Sequence, residues 1–395
     1  MSLISKREQV AVDIGSDNLR VIVVEQSRDG LRLRAAASAP TPEGAVSEGV
    51  VQNPEEVGFA LQSLLASADI PQRGGAAAVG GPRVVVRPVR FPYTTPQRLD
   101  RLVKYEAQRY VPFSADESVI QHQVTGEGSD KEGTFLEGVV AAAYKQVVES
   151  RVEALEKAGL EPLVVDIECF ATLRSLIYAN RDPSIGDATV VILRVGGDFT
   201  EITLIRKGSF VLSRTVPLGG KAITSAIAKA LRVDMREANR LKEELGVAVP
   251  RSGIDSLEEA QKPVVRAMSA PLDELGKEAR RSFTYFLTQL SAEAPDATID
   301  KVILCGGGAK LKGLDTFLAG HVSAEVVKAN VFDSTFVDSS TFDKAYLADL
   351  APTMVVAMGL ALIPFIQGGS YPFSFDVSRC GVVVRAGPET APGEL

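Results

Sequence analysis

Asp13, Gly15, Ser16, Asp17 and Asn18 stand together in a short turn between two apolar runs, residues 10–14 and 19–24. Strand, glycine-containing turn and strand make a hairpin signal. Small polar residues beside the glycine leave backbone N–H groups facing outward, where an anion can sit. The arrangement returns at residues 191–198, with Gly196 and Gly197 in the turn and Ile202 and Leu204 alternating in the following strand. Both copies keep one offset of 181 (194 − 13, 196 − 15, 198 − 17) without a gap. One such turn is an ordinary hairpin; two in constant register describe a bilobed protein that grips a phosphate chain from both sides. The copies differ at a telling point, since Arg194 stands where the first has Asp13.

Other residues of the right type lie at element boundaries. Gly219 and Gly220 precede a helical pattern with Ile223, Ile227 and Leu231. Gly306, Gly307 and Gly308, with Lys310 after them, break an apolar strand just before a helix. Unpaired N–H groups and the helix dipole favour phosphate there, and absent side chains let a ligand approach. A plain strand-to-helix turn reads equally well. Asp166 and Glu168 end an apolar strand that runs into a helix, where either carboxylate also reads as a cap.

The elements that must position these groups follow from periodicity. Residues 30–39 complete a three-strand meander, and 55–68 form a helix with Phe59, Leu61, Leu64 and Leu65 as apolar positions. Residues 83–91 alternate apolar and basic side chains, and Thr95 and Pro96 open a helix. Strands at 116–125 and 135–144, around a polar hairpin loop at 126–133, and a helix from Lys145 to Ala158 complete an insert. Leu272, Leu275, Ala279, Phe283, Phe286 and Leu290 draw one apolar stripe on a long helix. Residues 351–362, small and carrying Gly359, predict a helix in very close contact with a neighbour.

Composition narrows the function. A chain of 395 residues exceeds one core. The net charge of −7, with no dense Lys/Arg cluster, argues against a nucleic-acid partner. Only His122 and His321 are histidines, which opposes a zinc site or a histidine triad. Cys169, Cys305 and Cys380 share no ligand spacing and fit a reducing cytosol. The polar N-terminus has no signal-peptide core, and the longest apolar run, 351–366, holds Pro352 and Pro364 and is too short to span a bilayer. Direct membrane insertion is not expected.

In order along residues 7–365, the motifs resemble the PilM family of type IV pilus assembly, which is related to FtsA of cell division. They are Val12-Asp13-Ile14-Gly15-Ser16, Tyr110-Val111-Pro112-Phe113, residues 165–171, Pro217-Leu218-Gly219-Gly220, residues 278–282, Gly306-Gly307-Gly308-Ala309 and residues 358–362. The resemblance implies an α/β, actin-like ATPase fold (ribonuclease H-like and duplicated) of two lobes with an FtsA/PilM-type inserted subdomain. The first lobe takes 1–82, 160–185 and 350–370, and the insert 83–159. The second lobe takes 186–225 and 295–349, a helical subdomain 226–294, and a flexible tail 371–395.

That resemblance further implies ATP and Mg²⁺ between the lobes. Asp13 would hold the metal through water. Gly15, Ser16 and Asn18 would face the phosphates from one lobe and Gly196 and Gly197 from the other, with Asp17, Gly219, Gly220 and Lys310 as further cofactor-binding residues. Gly306 to Gly308 would favour phosphate and let the adenosine approach, and Lys242 and Asn239 would meet the ribose or adenine. Relatives often carry a Glu where Asn239 stands and an Asp where Arg194 stands. Glu168, with Asp166 nearby, falls where related ATPases keep a carboxylate near the attacking water. Arg194 reverses a charge, pairing with Asp13 or Asp198 or reaching a phosphate, so slow or negligible hydrolysis is expected.

The implied role is a cytoplasmic adaptor at the inner face of the inner membrane. It would bind the N-terminal tail of a PilN-type membrane protein through a groove lined by Arg83, Arg87, Glu106 and Tyr110. Other pilus platform proteins are further expected partners, and self-association is left open. An FtsA-like cell-division filament protein is the alternative, and a small-molecule kinase of the same superfamily stands behind it.

Overall fold

The computed structural model describes residues 8–71, 74–110, 114–131, 133–179, 188–290, 296–366 and 374–376. Two sheets share one strand order. In the first, Gly30–Pro40, Asn18–Ser27 and Glu8–Ile14 form an antiparallel meander, and Gly74–Val79 and Glu161–Ile167 join Glu8–Ile14 in parallel. In the second, Ser209–Val216, Thr200–Arg206 and Thr189–Val195 repeat the meander, and Lys301–Cys305 and Glu325–Lys328 the parallel extension. The offset seen in the turns is thus a duplication of whole sheets.

Strand alternation explains how the first sheet is covered on both faces. Val10, Val12 and Ile14 turn to one side, where helices Pro54–Ser67 and Lys145–Lys157 close a core with Leu61, Leu65 and Leu155. Ala11, Ile22 and Val24 turn to the other, toward helices Glu168–Leu173 and Val355–Ala361. That second core continues into the second lobe through Val190, Ile192 and Phe210. Phe170 and Phe210 meet edge to face at 5.3 Å between centroids, an aromatic contact joining the lobes.

The close approach expected of the last helix is real. A Cβ built on Gly359 would stand 1.7 Å from the Ala171 carbonyl oxygen, so only glycine lets the two helices meet. In the second lobe, Lys262–Leu290 buries the whole stripe from Leu272 to Leu290, although Pro271 interrupts its hydrogen bonding. Each large apolar side chain so buried contributes about 1.5–3 kcal/mol.

The insert is a three-stranded sheet, Val84–Pro92, Gly133–Tyr144 and Ser118–Asp130, backed by helix Pro96–Tyr110. Val84–Pro92 is an edge strand, where Pro88 costs no ladder bond. Leu99 and Val103 seat the helix on Phe91, Leu136 and Val140.

Four readings need correction. Helix Lys145–Lys157, grouped with the insert, packs instead on Pro54–Ser67 and the first sheet, because its apolar face matches their core. The tract 126–133 is not mostly loop, since strands run to Asp130 and resume at Gly133. Phe59 is 73% exposed, lying on the opposite side of its helix from Leu61 and Leu65. Within the segment read as a flexible tail, Ser374–Asp376 pairs antiparallel with Glu161–Ile167. The lobe boundary near Gly186 and residues 111–113 fall outside the described residues.

Candidate functional site

The carboxyl ends of the paired strands open on a cleft of about 1080 Å³ between the lobes. Both hairpin tips enter it. Gly15 N–H closes the first turn on the Asn18 carbonyl at 3.1 Å, and Gly196 N–H closes the second on the Phe199 carbonyl at 3.0 Å. Those two amides are therefore committed to the turns. The amides of Ser16, Asp17 and Gly197 take no protein partner among the described residues. The tips touch: a Cβ on Gly197 would lie 2.4 Å from Ser16 Oγ and 2.5 Å from Asp17 Oδ2.

Gly219 and Gly220 stand behind the second tip. Gly220 N–H donates to the Gly196 carbonyl at 2.8 Å and Lys221 N–H to Gly197 at 2.9 Å, so the start of helix Gly220–Leu231 braces the second tip. Gly219 supports this from behind and does not line the cleft; a Cβ there would meet the Gly197 oxygen at 2.4 Å. Gly306 has φ of +84° and presses on the Val195 carbonyl, where a side chain would sit 2.5 Å away. Gly307 and Gly308 then expose a bare backbone turn to the cleft.

Lys242 and Asn239 lie on helix Met235–Leu245, whose start Asp234 caps through the Glu237 amide. Lys242 donates to Thr224 Oγ1 at 2.7 Å, and burial holds its pKa below the ordinary lysine value. Asn239 donates to Glu243 Oε1 at 2.8 Å. Glu243 therefore brings to the cleft the carboxylate that Asn239 lacks, one turn along. Lys310 is in the cleft but ion-paired with Asp349 at 2.7 Å.

The buried charges form two mirrored pairs. Asp13 accepts from Arg20 Nη1 at 3.2 Å across the first hairpin. At the same register in the second hairpin, Arg194 Nε donates to Glu201 at 3.3 Å. Acid and base have changed places. Arg194 also bonds Glu168 of the first lobe and lies over the Phe199 ring at 5.5 Å. The expected pairing of Arg194 with Asp13 or Asp198 is thus replaced by Glu168 and Glu201, because those carboxylates stand opposite it. Burial, with Glu201 and Asp13 adding and Arg194 opposing, pushes the Glu168 carboxyl up to about 7.

Asp166 does not join the cleft. Fully buried, it accepts from Arg174 at 2.8 Å and from the Ile167 amide at 2.7 Å, while Arg174 also donates to the Gly359 carbonyl. Its role is to hold helices together, and neither Asp166 nor Glu168 caps the helix beyond. Among the described residues no group of three or more His, Cys, Asp or Glu could hold a metal ion.

Arg83, Arg87 and Glu106 lie away from the cleft, on the insert. Arg83 stacks on the Tyr144 ring at 5.8 Å and approaches Glu48 at 3.8 Å. Arg87 is exposed and pairs in register with Val140 on the strand beside it. Glu106 is half-buried on Pro96–Tyr110, and the Tyr110 side chain is outside the described residues.

Three residues of the site escaped the sequence. Glu201 is the 181-offset counterpart of Arg20 (201 − 20), a signal legible once the register is applied to polar positions. Lys221, beside the glycine pair, bridges the two tips through Asp198 at 2.8 Å and Asp17 at 3.7 Å. Arg151 sits on the apolar stripe of its helix with Val147, Val148 and Leu155, a cation where a hydrophobe belongs.

A family model described as type IV pilus assembly protein PilM matches residues 11–365. A solved PilM-PilN type IV pilus biogenesis complex has a TM-score of 0.77 at 29% identity, covering 91% of this chain and 98% of that one. Cell division protein FtsA of Bacillus subtilis (strain 168) is 26% identical over 267 residues, 60% of this chain. The chain spans only 58% of that relative's length. The ethanolamine utilization protein EutJ from Carboxydothermus hydrogenoformans matches at a TM-score of 0.54 and 16% identity over 91% of each chain, and shares the fold. The architecture is the actin-like ATPase fold.

Proposed function

Because the chain belongs to the family of type IV pilus assembly protein PilM, we propose that it is a cytoplasmic adaptor of the pilus inner-membrane platform. It binds ATP with Mg²⁺ between its lobes and captures the N-terminal tail of a PilN-type membrane protein on its insert. The likeness over 91% of the chain to a structure determined as a PilM-PilN complex carries the partner half of this reading. Among the described residues no helix is long and apolar enough to cross a membrane, so attachment through a membrane partner fits the chain.

The cleft suits a nucleotide on its own chemistry. Free tip amides at Ser16, Asp17 and Gly197 are anion donors. Gly306 and Gly308 pack their bare backbone against Val195, and Gly307 and Gly308 present that turn to the cleft without side chains. Lys242 and Glu243 offer a donor and an acceptor for a sugar. Magnesium, when bound, would neutralise phosphate charge and take Asp13 through water, since this ion keeps most of its hydration shell.

Arg194 makes hydrolysis slow. A carboxylate meant to draw a proton from water must be free to accept it. Glu168 is instead engaged by Arg194, and Asp13 by Arg20. The site is built to hold a nucleotide more than to turn it over.

Calorimetric titration of the full chain with a PilN-tail peptide tests the adaptor role. Saturable binding at one peptide per chain is expected; heats indistinguishable from dilution would remove the partner half.

A further inference from the structure

Arg151 is buried, 1% exposed, on helix Lys145–Lys157. Its Nε donates to the Ala78 carbonyl at 3.1 Å and its Nη2 to the Ile14 carbonyl at 3.3 Å. Those carbonyls lie at the ends of two parallel strands, one immediately before the first phosphate-facing turn and one just before Gly80. The third nitrogen, Nη1, has no hydrogen-bond partner among the described residues. Arg151 lines the cleft beside Asp13 and Glu168. Both carboxylates act on its charge, but neither hydrogen-bonds to it, since Asp13 pairs with Arg20 and Glu168 with Arg194.

A buried guanidinium with an idle donor is costly unless an anion completes it. Arginine cannot escape by losing its proton. The two carbonyls fix the plane of the guanidinium and leave Nη1 as its one unused nitrogen. Its place is at the floor, beneath the first tip. Lys242 and Glu243, the groups suited to a sugar, stand on the helical part of the second lobe. A phosphate chain running from them past the tips ends at the floor.

We propose that Arg151 contacts the terminal phosphate of a bound nucleoside triphosphate, so that the cleft distinguishes triphosphate from diphosphate. The inference rests on the nucleotide-binding reading above. It makes occupancy of the cleft sensitive to the terminal phosphate even though hydrolysis is slow, and it gives the helix that joins insert to first lobe a direct contact with the nucleotide.

Titration of the full chain with MgATP and with MgADP is the test. Wild type should prefer ATP by roughly tenfold to a hundredfold, the range for one hydrogen bond from a charged donor. Arg151→Gln should bring ATP down to the ADP level and leave ADP within about twofold, while Arg151→Lys should keep part of the preference. Equal wild-type affinities overturn the proposal without any variant, which covers the case in which Arg151→Gln does not fold. Equal losses for ATP and ADP in a folded variant overturn it too. Should wild type bind neither nucleotide, the nucleotide reading itself falls and takes the proposal with it.

Discussion

Arg194 and Glu168 form an ion pair across the two lobes, and both side chains are buried. With Glu201 on its other side, Arg194 is ion-paired to two carboxylates at once. Removing it leaves both carboxylates without that cation, which is far costlier than the pair itself is worth. Arg194→Met should therefore destabilise by about 3–5 kcal/mol. Arg194→Met with Glu168→Gln should recover part of that loss, since one stranded charge is gone. Urea midpoints of the four proteins of the cycle measure this; an additive double variant would show that the two residues do not interact.

Stability should also depend on pH through Glu168. Its carboxyl, ordinarily at 4.5, is raised to about 7, chiefly by burial. A group that holds its proton more tightly when folded stabilises the fold while protonated. That contribution is complete below about pH 4.5 and is lost as pH rises to about 7. Relative to Glu168→Gln, which stays neutral, wild type should lose about 3 kcal/mol across this window and diverge no further above it. Denaturation at several pH values gives the difference curve, and a flat curve would mean that Glu168 titrates normally.

Much of this was legible in the sequence, and the remainder has physical reasons for hiding. The register of 181 showed the duplication because turns and apolar runs are local signals. The exchange of Asp13 and Arg20 for Arg194 and Glu201 obeys the same register, but it becomes a pairing only when the strands lie side by side. Asp166 and Glu168 look alike in sequence, yet they stand two residues apart where a strand becomes a helix. One meets Arg174 in the lobe interior and the other Arg194 in the cleft. The helix Lys145–Lys157 directly follows the insert in sequence, whereas its partner Pro54–Ser67 lies far back in the chain. Periodicity also promised a buried Phe59, and tertiary packing gave it no neighbour to cover it.

Turnover of ATP should stay below about 1 s⁻¹, the low end for ordinary enzymes. The reason is the engagement of Glu168 and Asp13 by arginines rather than any lack of carboxylates. Asp13→Ala should weaken the magnesium-dependent part of ATP binding by roughly tenfold to a hundredfold, as for other outer-sphere metal partners. Titrations with and without Mg²⁺ separate that effect from general loss of affinity. Rapid steady-state release of phosphate by wild type would contradict the assignment of Arg194.

Gly359→Ala should destabilise by at least about 3 kcal/mol, the upper end for overpacking. Its new methyl carbon would meet a backbone oxygen 1.7 Å away, and backbone cannot swing aside as a side chain does. Gly253→Ala is the control, because its Cβ would meet only Val249 Cβ at an ordinary 3.7 Å. Thermal melts of both variants decide the matter: equal melting temperatures would show that helices Val355–Ala361 and Glu168–Leu173 can separate freely.

Partner capture should depend on the insert and not on the cleft. Strand alternation puts Arg83 and Arg87 on the same face of Val84–Pro92 as Phe91, where helix Pro96–Tyr110 sits with Glu106. An extended tail laid along this edge strand would find unpaired backbone groups beside two arginines. Arg87→Glu and Tyr110→Ala should each weaken a PilN-tail peptide by more than about 1 kcal/mol, the arginine change mostly by slowing association at low salt. Asp13→Ala, remote from the insert, should leave the peptide affinity of the nucleotide-free chain unchanged. If the two insert variants bind as wild type does, the tail docks elsewhere on the protein, and the arginines of the edge strand serve only to keep it from pairing with another sheet.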